Sequence, residues 1–147
     1  MVSKVRSLIK KTPFKGLEVI TVDSEATVAQ AISTMVERNI GAVIVMEEGN
    51  PNGMFTERDV LRCWKANKGF DVKVKEVMTR DLFAVEADEE VSNVMSIMIQ
   101  KSIRHLPVVD KGAVISVISI RDVVRAQVSS LKAEVHYLTE FITSKFT

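Results

Sequence analysis

Cysteine is almost absent from this sequence. Cys63 is the single copy, so no internal disulfide can form, which suits a reducing compartment. Aromatic residues make up only 5% of the chain, and glycine and proline number 6 and 3, so neither a low-complexity nor a collagen-like segment is present. Charge of one sign is not in excess either. Twenty Lys+Arg against 19 Asp+Glu leave +1, which gives no electrostatic reason to expect a nucleic-acid or membrane partner. No apolar run reaches the ~20 residues of a membrane span, and the basic start Met1–Lys11 lacks an apolar signal core. The expectation is a cytoplasmic protein. Phosphate-loop and dinucleotide glycine motifs are missing, as is any Cys/His cluster with metal-ligand spacing, so no metal site is expected. Cys63 has neither His105 nor His136 at a spacing that suggests a base, and it reads as a buried structural thiol. No enzyme is expected.

What the chain does have is a repeat. Shifted by 63 residues, segment 21–62 lies over 84–125 without a gap, and 11 of the 42 pairs are identical, among them Val28/Val91, Met35/Met98, Gly49/Gly112, Arg58/Arg121 and Asp59/Asp122. Conservative pairs such as Arg38/Lys101 and Thr56/Ser119 extend the match into the charged positions. Each copy reads as β-α-β-β-α. Short extended pieces, Thr21-Val22 and Ala84-Val85, precede acidic clusters in which Ser24 and Asp88 are candidate helix N-caps. The helical stripes Val28, Ala31, Ile32, Met35, Val36 and Val91, Val94, Met95, Met98, Ile99 follow. Strands 42–46 and 106–109 are rich in β-branched residues, and turns are expected at 48–53 and 110–112. Third strands end at Phe55 and Ile118, where second helices open with Thr56-Glu57-Arg58-Asp59 and Ser119-Ile120-Arg121-Asp122.

A unit of about 60 residues buries too little surface to be robust alone, so the two copies are expected to cover each other as one α/β (α+β) body with pseudo-two-fold symmetry. The expected organisation is an N-terminal helix or arm over 1–12, repeat 1 over 13–66, a connector over 67–73, repeat 2 over 74–127 and a C-terminal helix over 128–147. Val5, Leu8 and Ile9 give the arm an apolar side that packs on the module. Val124, Val128, Leu131, Val135, Leu138 and Ile142, spaced 4, 3, 4, 3, 4, form a seam that either packs on its own module or meets a second copy, and homodimerisation is favoured; Phe141 and Phe146 widen its apolar side.

Gly53-Met54-Phe55-Thr56-Glu57-Arg58-Asp59, with its second copy, Val77-Met78-Thr79-Arg80-Asp81 and Arg104-His105-Leu106-Pro107-Val108-Val109 together resemble the CBS domain family over roughly 13–127. The resemblance implies a disc-like regulatory pair whose clefts bind adenosine-containing ligands: AMP, ADP or ATP first, with NAD(H) and S-adenosylmethionine sharing the adenosine portion. It implies an unidentified regulated protein as partner. Independently of it, Thr56 and Ser119 open helices, where unpaired amides favour an anion or lone pair, and Asp59 and Asp122 lie one turn on, placed to accept from a ribose diol. The same Thr/Ser-x-x-Asp spacing is also that of a capping box. Arg104 and His105, opposite Gly41 and Ala42 of the first copy, are candidate phosphate contacts that would make the clefts unequal. Arg58 and Arg121 reach either a phosphate or an outward ion pair. Thr21 and Thr79, at the first strands, are candidate base contacts as the resemblance has it, with Val22, Phe83 and Ile103 as pocket walls or plain core. Ser116 in place of Gly53 narrows the second cleft. The alternative is a ligand-free dimeric interaction or scaffold module.

Overall fold

The computed structural model describes residues 3–10 and 19–146. The repeat is visible as two three-stranded sheets of identical topology. After α1 (Val5–Lys10), the first half runs β1 (Thr21–Asp23), α2 (Val28–Arg38), β2 (Ala42–Glu47), β3 (Asn50–Thr56) and α3 (Glu57–Lys65). A single 3-10 turn at Val74–Glu76 leads to β4 (Val85–Glu86), α4 (Val91–Lys101), β5 (His105–Asp110), β6 (Ala113–Ser119) and α5 (Ile120–Phe146). In each sheet the central strand pairs parallel with the first and antiparallel with the third.

The hairpins are shorter than the sequence suggests. The expected turn over 48–53 is a two-residue turn, Glu48 (φ 50°) and Gly49 (φ 80°), matched by Lys111 (φ 51°) and Gly112 (φ 79°). Asn50 to Gly53 belong to β3, an edge strand with a bulge opposite Val45/Met46 that accommodates Pro51.

Helix starts also move. The α2 N-cap is Thr27, in a capping box with Gln30, not Ser24. Ser24 is buried, and its amide extends the β1 pairing by bonding the Met46 carbonyl, so the chain cannot turn helical there. In the second half Glu90, not Asp88, takes the N-cap position, and Asp88 pairs with Arg6. The buried stripes are Val28, Ala31, Met35 and Val91, Val94, Met98; Val36 and Ile99, expected in them, are 74% and 63% exposed.

The cores do not follow chain order. Val5, Leu8 and Ile9 of α1 are buried among Val85, Val91, Met98, Leu106 and Ile118 of the second half. Val74 and Met78, which precede β4, are buried among Val28, Met35, Val45 and Phe55 of the first half. The two exchanges are equivalent bond for bond. Val5 N bonds Glu89 O at 2.9 Å as Val74 N bonds Ala26 O at 2.7 Å, and Arg6 N bonds Ala87 O at 2.8 Å as Lys75 N bonds Ser24 O at 3.2 Å. The expected packing of the arm on the module is therefore present, and its target is the far repeat. The Val2 and Lys11 ends of that segment, and the expected boundary at 12/13, lie outside the described residues. The opposite face of the first sheet, Ala42, Ile44 and Met54, meets Leu82 and Val117, so apolar contact also joins the halves. Burying each such Val, Ile or Met contributes about 1.5–3 kcal/mol, which neither small half could gather without the other.

The C-terminal stretch is not a separate helix. It continues from the second repeat as one 27-residue α5, and every described side chain from Leu131 to Ser144 is exposed. From Leu131 to Ser144 it is not buried against its own module. The Phe146 side chain lies outside the described residues.

Candidate ligand site

The two Thr/Ser-x-x-Asp elements sit where third strand passes into helix, and both form capping boxes. Asp59 Oδ2 accepts from the Thr56 amide at 3.0 Å and hydroxyl at 3.4 Å. Asp122 Oδ2 accepts from the Ser119 amide at 2.9 Å, and Ser119 Oγ accepts from the Asp122 amide at 3.2 Å. Beyond that the copies diverge. Asp59 Oδ1 also accepts from Thr79 Oγ1 at 3.1 Å and Arg62 Nη1 at 3.2 Å, and its residue is only 1% exposed. The Asp59 carboxylate, read from the sequence as an acceptor for a ribose diol or a plain cap, holds four contacts within the chain. Asp122 is half-buried.

Thr79 is brought to Asp59 by the exchanged segment, whose Thr79 amide and carbonyl both bond Met54 at 2.9 Å. That close approach is why position 53 is glycine: a Cβ there would lie 2.5 Å from Met78 Sδ and 3.0 Å from the Thr79 carbonyl. At the matching position Ser116 is buried. Thr21, expected with Thr79 as a candidate base contact, lies on the other edge of the sheet. The row runs Thr21, Ile44, Met54, Thr79, three strand spacings or about 14 Å.

Arg104 and His105 do join the second element. His105 is the register partner of Ser119, and the Arg104 carbonyl accepts from the Ile120 amide at 2.8 Å. The imidazole lies against Gly41 of the first repeat, where a Cβ would meet His105 Nε2 and Glu57 Oε1 at 2.9 Å each. Burial pushes the His105 pKa down, and Arg104 adds to this, against the pull of Glu57 and Asp122. Gly41 thus leaves room for the His105 imidazole, and the halves are unequal where they meet.

The recurring arginines part ways. Arg58 donates to the Ser102 carbonyl at 3.0 Å, across to the left-handed C-cap of α4, while Arg121 is exposed on α5. Val22 and Ile103 pack against the first and second cores, and Phe83 lies 5.0 Å beneath the Lys101 ammonium. Cys63 is buried, and that burial, with Asp59 nearby, raises its thiol pKa. Sequence reasoning missed Arg62 and Glu57. Arg62 recurs as Arg125 and was open to notice; Glu57 faces Ile120 in the repeat, so nothing marked it. Among the described residues no His/Cys/Asp/Glu group is placed to hold a metal ion, and no helix is long and apolar enough to cross a membrane.

Comparison with known proteins agrees with this architecture. The chain is 32% identical over 117 residues to the CBS domain-containing protein YhcV of Bacillus subtilis, covering 79% of this chain and 84% of that one. A putative signal-transduction protein with CBS domains from Burkholderia ambifaria superposes with a TM-score of 0.82 at 32% identity, covering 86% of this chain and 95% of that one. The CBS domain pair of protein MJ0100, solved with 5′-methylthioadenosine and S-adenosyl-L-methionine, gives a TM-score of 0.75 at 25% identity, covering 88% and 99%. With the CBS domain itself matching twice, over residues 5–65 and 74–129, this chain belongs to the CBS domain family and carries a pair of CBS domains.

Proposed function

We propose that this CBS pair is a cytoplasmic regulatory module that binds an adenosine-containing nucleotide, AMP, ADP or ATP before NAD(H) or S-adenosylmethionine. It acts as a homodimer and passes the bound state to a protein partner without catalysing a reaction. The observation that carries the reading is the convergence of Ser119, Asp122, Arg104 and His105 at the start of α5. There the Asp122 carboxylate accepts from the ribose hydroxyls, Ser119 serves a ribose or phosphate oxygen, and Arg104 and His105 meet the phosphate. MJ0100, a structural relative, holds two adenosyl compounds in its CBS pair, which supports the adenosine class. At the first element a diol reaches Asp59 only by displacing Thr79 and Arg62, so we place the tighter site at Asp122. A ligand touching residues of both halves favours one arrangement of them, which is the signal.

Calorimetry and thermal shift with AMP, ATP, NADH and S-adenosylmethionine test the proposal on the wild type, Asp122→Ala and Asp59→Ala. Binding of an adenine nucleotide that Asp122→Ala removes is the expected result. Failure of all four ligands overturns it. A ligand-free dimeric interaction module is the second reading, favoured by the closed surroundings of Asp59 and by the projecting α5.

A further inference from the structure

The second half of α5 is exposed along its whole described length. From Leu131 to Ser144 every side chain is exposed, and a helix segment of that length is marginal in water by itself. Its apolar seam is not diffuse. Val124, Val128, Leu131, Val135, Leu138 and Ile142 are 44–61% exposed and keep the 4, 3, 4, 3, 4 spacing of a coiled coil. In heptad terms Val128, Val135 and Ile142 are a positions, and Val124, Leu131 and Leu138 are d positions. In a parallel coil, β-branched side chains at a with leucine at two of the three d positions favour two strands over three or four.

Charge decides the orientation. An antiparallel pair that covers all six seam residues sets Val124 against Ile142, Val128 against Leu138 and Leu131 against Val135, with its two-fold axis at position 133. The flanking positions then bring Lys132 to Lys132 and Glu134 to Glu134, two like-charge contacts at the centre of the interface. In the parallel, in-register pair Lys132 faces Gln127 and Glu134 faces Thr139, and no like charges oppose.

Resting on the homodimer reading above, we infer that two copies of this chain join through a parallel two-stranded coiled coil of α5, with both CBS pairs at the same end. The start of α5 is also where Ser119, Asp122, Arg104 and His105 gather, so the parallel pairing sets the two candidate ligand sites side by side at one end of the coil.

The experiment is light scattering after gel filtration, followed by oxidative crosslinking of full-length Leu138→Cys; the wild type, whose Cys63 is buried, is the control. In the parallel pair residue 138 faces itself, so Leu138→Cys gives a disulfide-linked dimer, as does Leu131→Cys at the other d position. Leu131→Glu keeps the circular dichroism melt of the module and halves the mass in solution. A monomeric wild type overturns the homodimer reading and the orientation together. A dimer that crosslinks only as the Val128→Cys/Leu138→Cys double variant is antiparallel, and overturns the orientation alone. A dimer left intact by Leu131→Glu places the interface elsewhere and overturns the inference.

Discussion

The Thr79 hydroxyl donates to Asp59 Oδ1 at 3.1 Å, tying the chain on its way into the second repeat to the helix that closes the first. The carboxylate it reaches is almost fully buried, and it also accepts from the Thr56 amide and from the exposed Arg62. Asp59→Ala is expected to lose about 2 kcal/mol of stability, a cap plus the hydrogen bonds from Thr79 and Arg62, against about 1 kcal/mol for the cap alone in Asp122→Ala. Thr79→Val loses about 1 kcal/mol. Urea unfolding of the three variants checks the order; equal losses at Asp59 and Asp122 would show that the two caps are equivalent after all.

Gly41 and His105 compete for one space. Adding a Cβ at 41 brings it to 2.9 Å from both Nε2 and Glu57 Oε1, tighter than real side chains allow. Both atoms end side chains that can shift, so Gly41→Ala is expected to cost about 1 kcal/mol, and part of that cost disappears in the Gly41→Ala/His105→Ala double variant. A double-mutant cycle measures it. Additive losses would mean that His105 does not fill the space Gly41 leaves.

Acid stability follows from the same imidazole. Burial holds its folded-state pKa below the ordinary 6.5, so as the pH falls the unfolded chain takes up the proton first. The stability is present above pH 6.5 and is lost as the pH falls through the depressed folded-state value. Glu25, held down to about 2 by Lys73 and Lys75, stays ionised through this range and does not contribute. Thermal melts at steps from pH 7.5 to about 5 are expected to slope for the wild type and to flatten for His105→Gln. An unchanged slope in the variant assigns the effect to another group.

Exchange of the lead-in segments predicts where damage spreads. Val5 has no exposed surface and lies in the core of the second half, and Arg6 is bidentate to Asp110 at 3.0 Å, an ion pair that holds the Asp110 carboxyl below its ordinary pKa. Val5→Asp is expected to lower amide protection in β4 to β6 before β1 to β3, although it lies nearer the latter in sequence. Val74→Asp, the equivalent position, does the reverse. Hydrogen exchange by mass spectrometry distinguishes the halves.

Local pattern carried much of this fold. Helical spacing put Val28, Ala31 and Met35 inside, glycine at 49 and 112 marked both hairpins, and the gapless shift between copies exposed the pairing of Asp59 with Asp122. Local pattern failed where a distant partner intervened. Ser24 offered a good cap, yet its amide was claimed by Met46; Val36 continued an apolar stripe, yet among the described residues it stays exposed. The exchanged segments escaped notice because they repeat at a shift of 69 rather than 63, across a change in connector length that gapless comparison does not cross.

By itself the sequence determined that there are two like halves, which side chains are apolar, and which residue types open each final helix, since these depend only on spacing and propensity along the chain. Only the tertiary structure decided that each lead-in is buried in the opposite half, that Thr79 and Arg62 occupy one carboxylate, and that His105 takes the volume left by Gly41. Those outcomes are set by competition for space and for hydrogen-bond donors among groups far apart in the chain, and no pattern of neighbours encodes which competitor arrives.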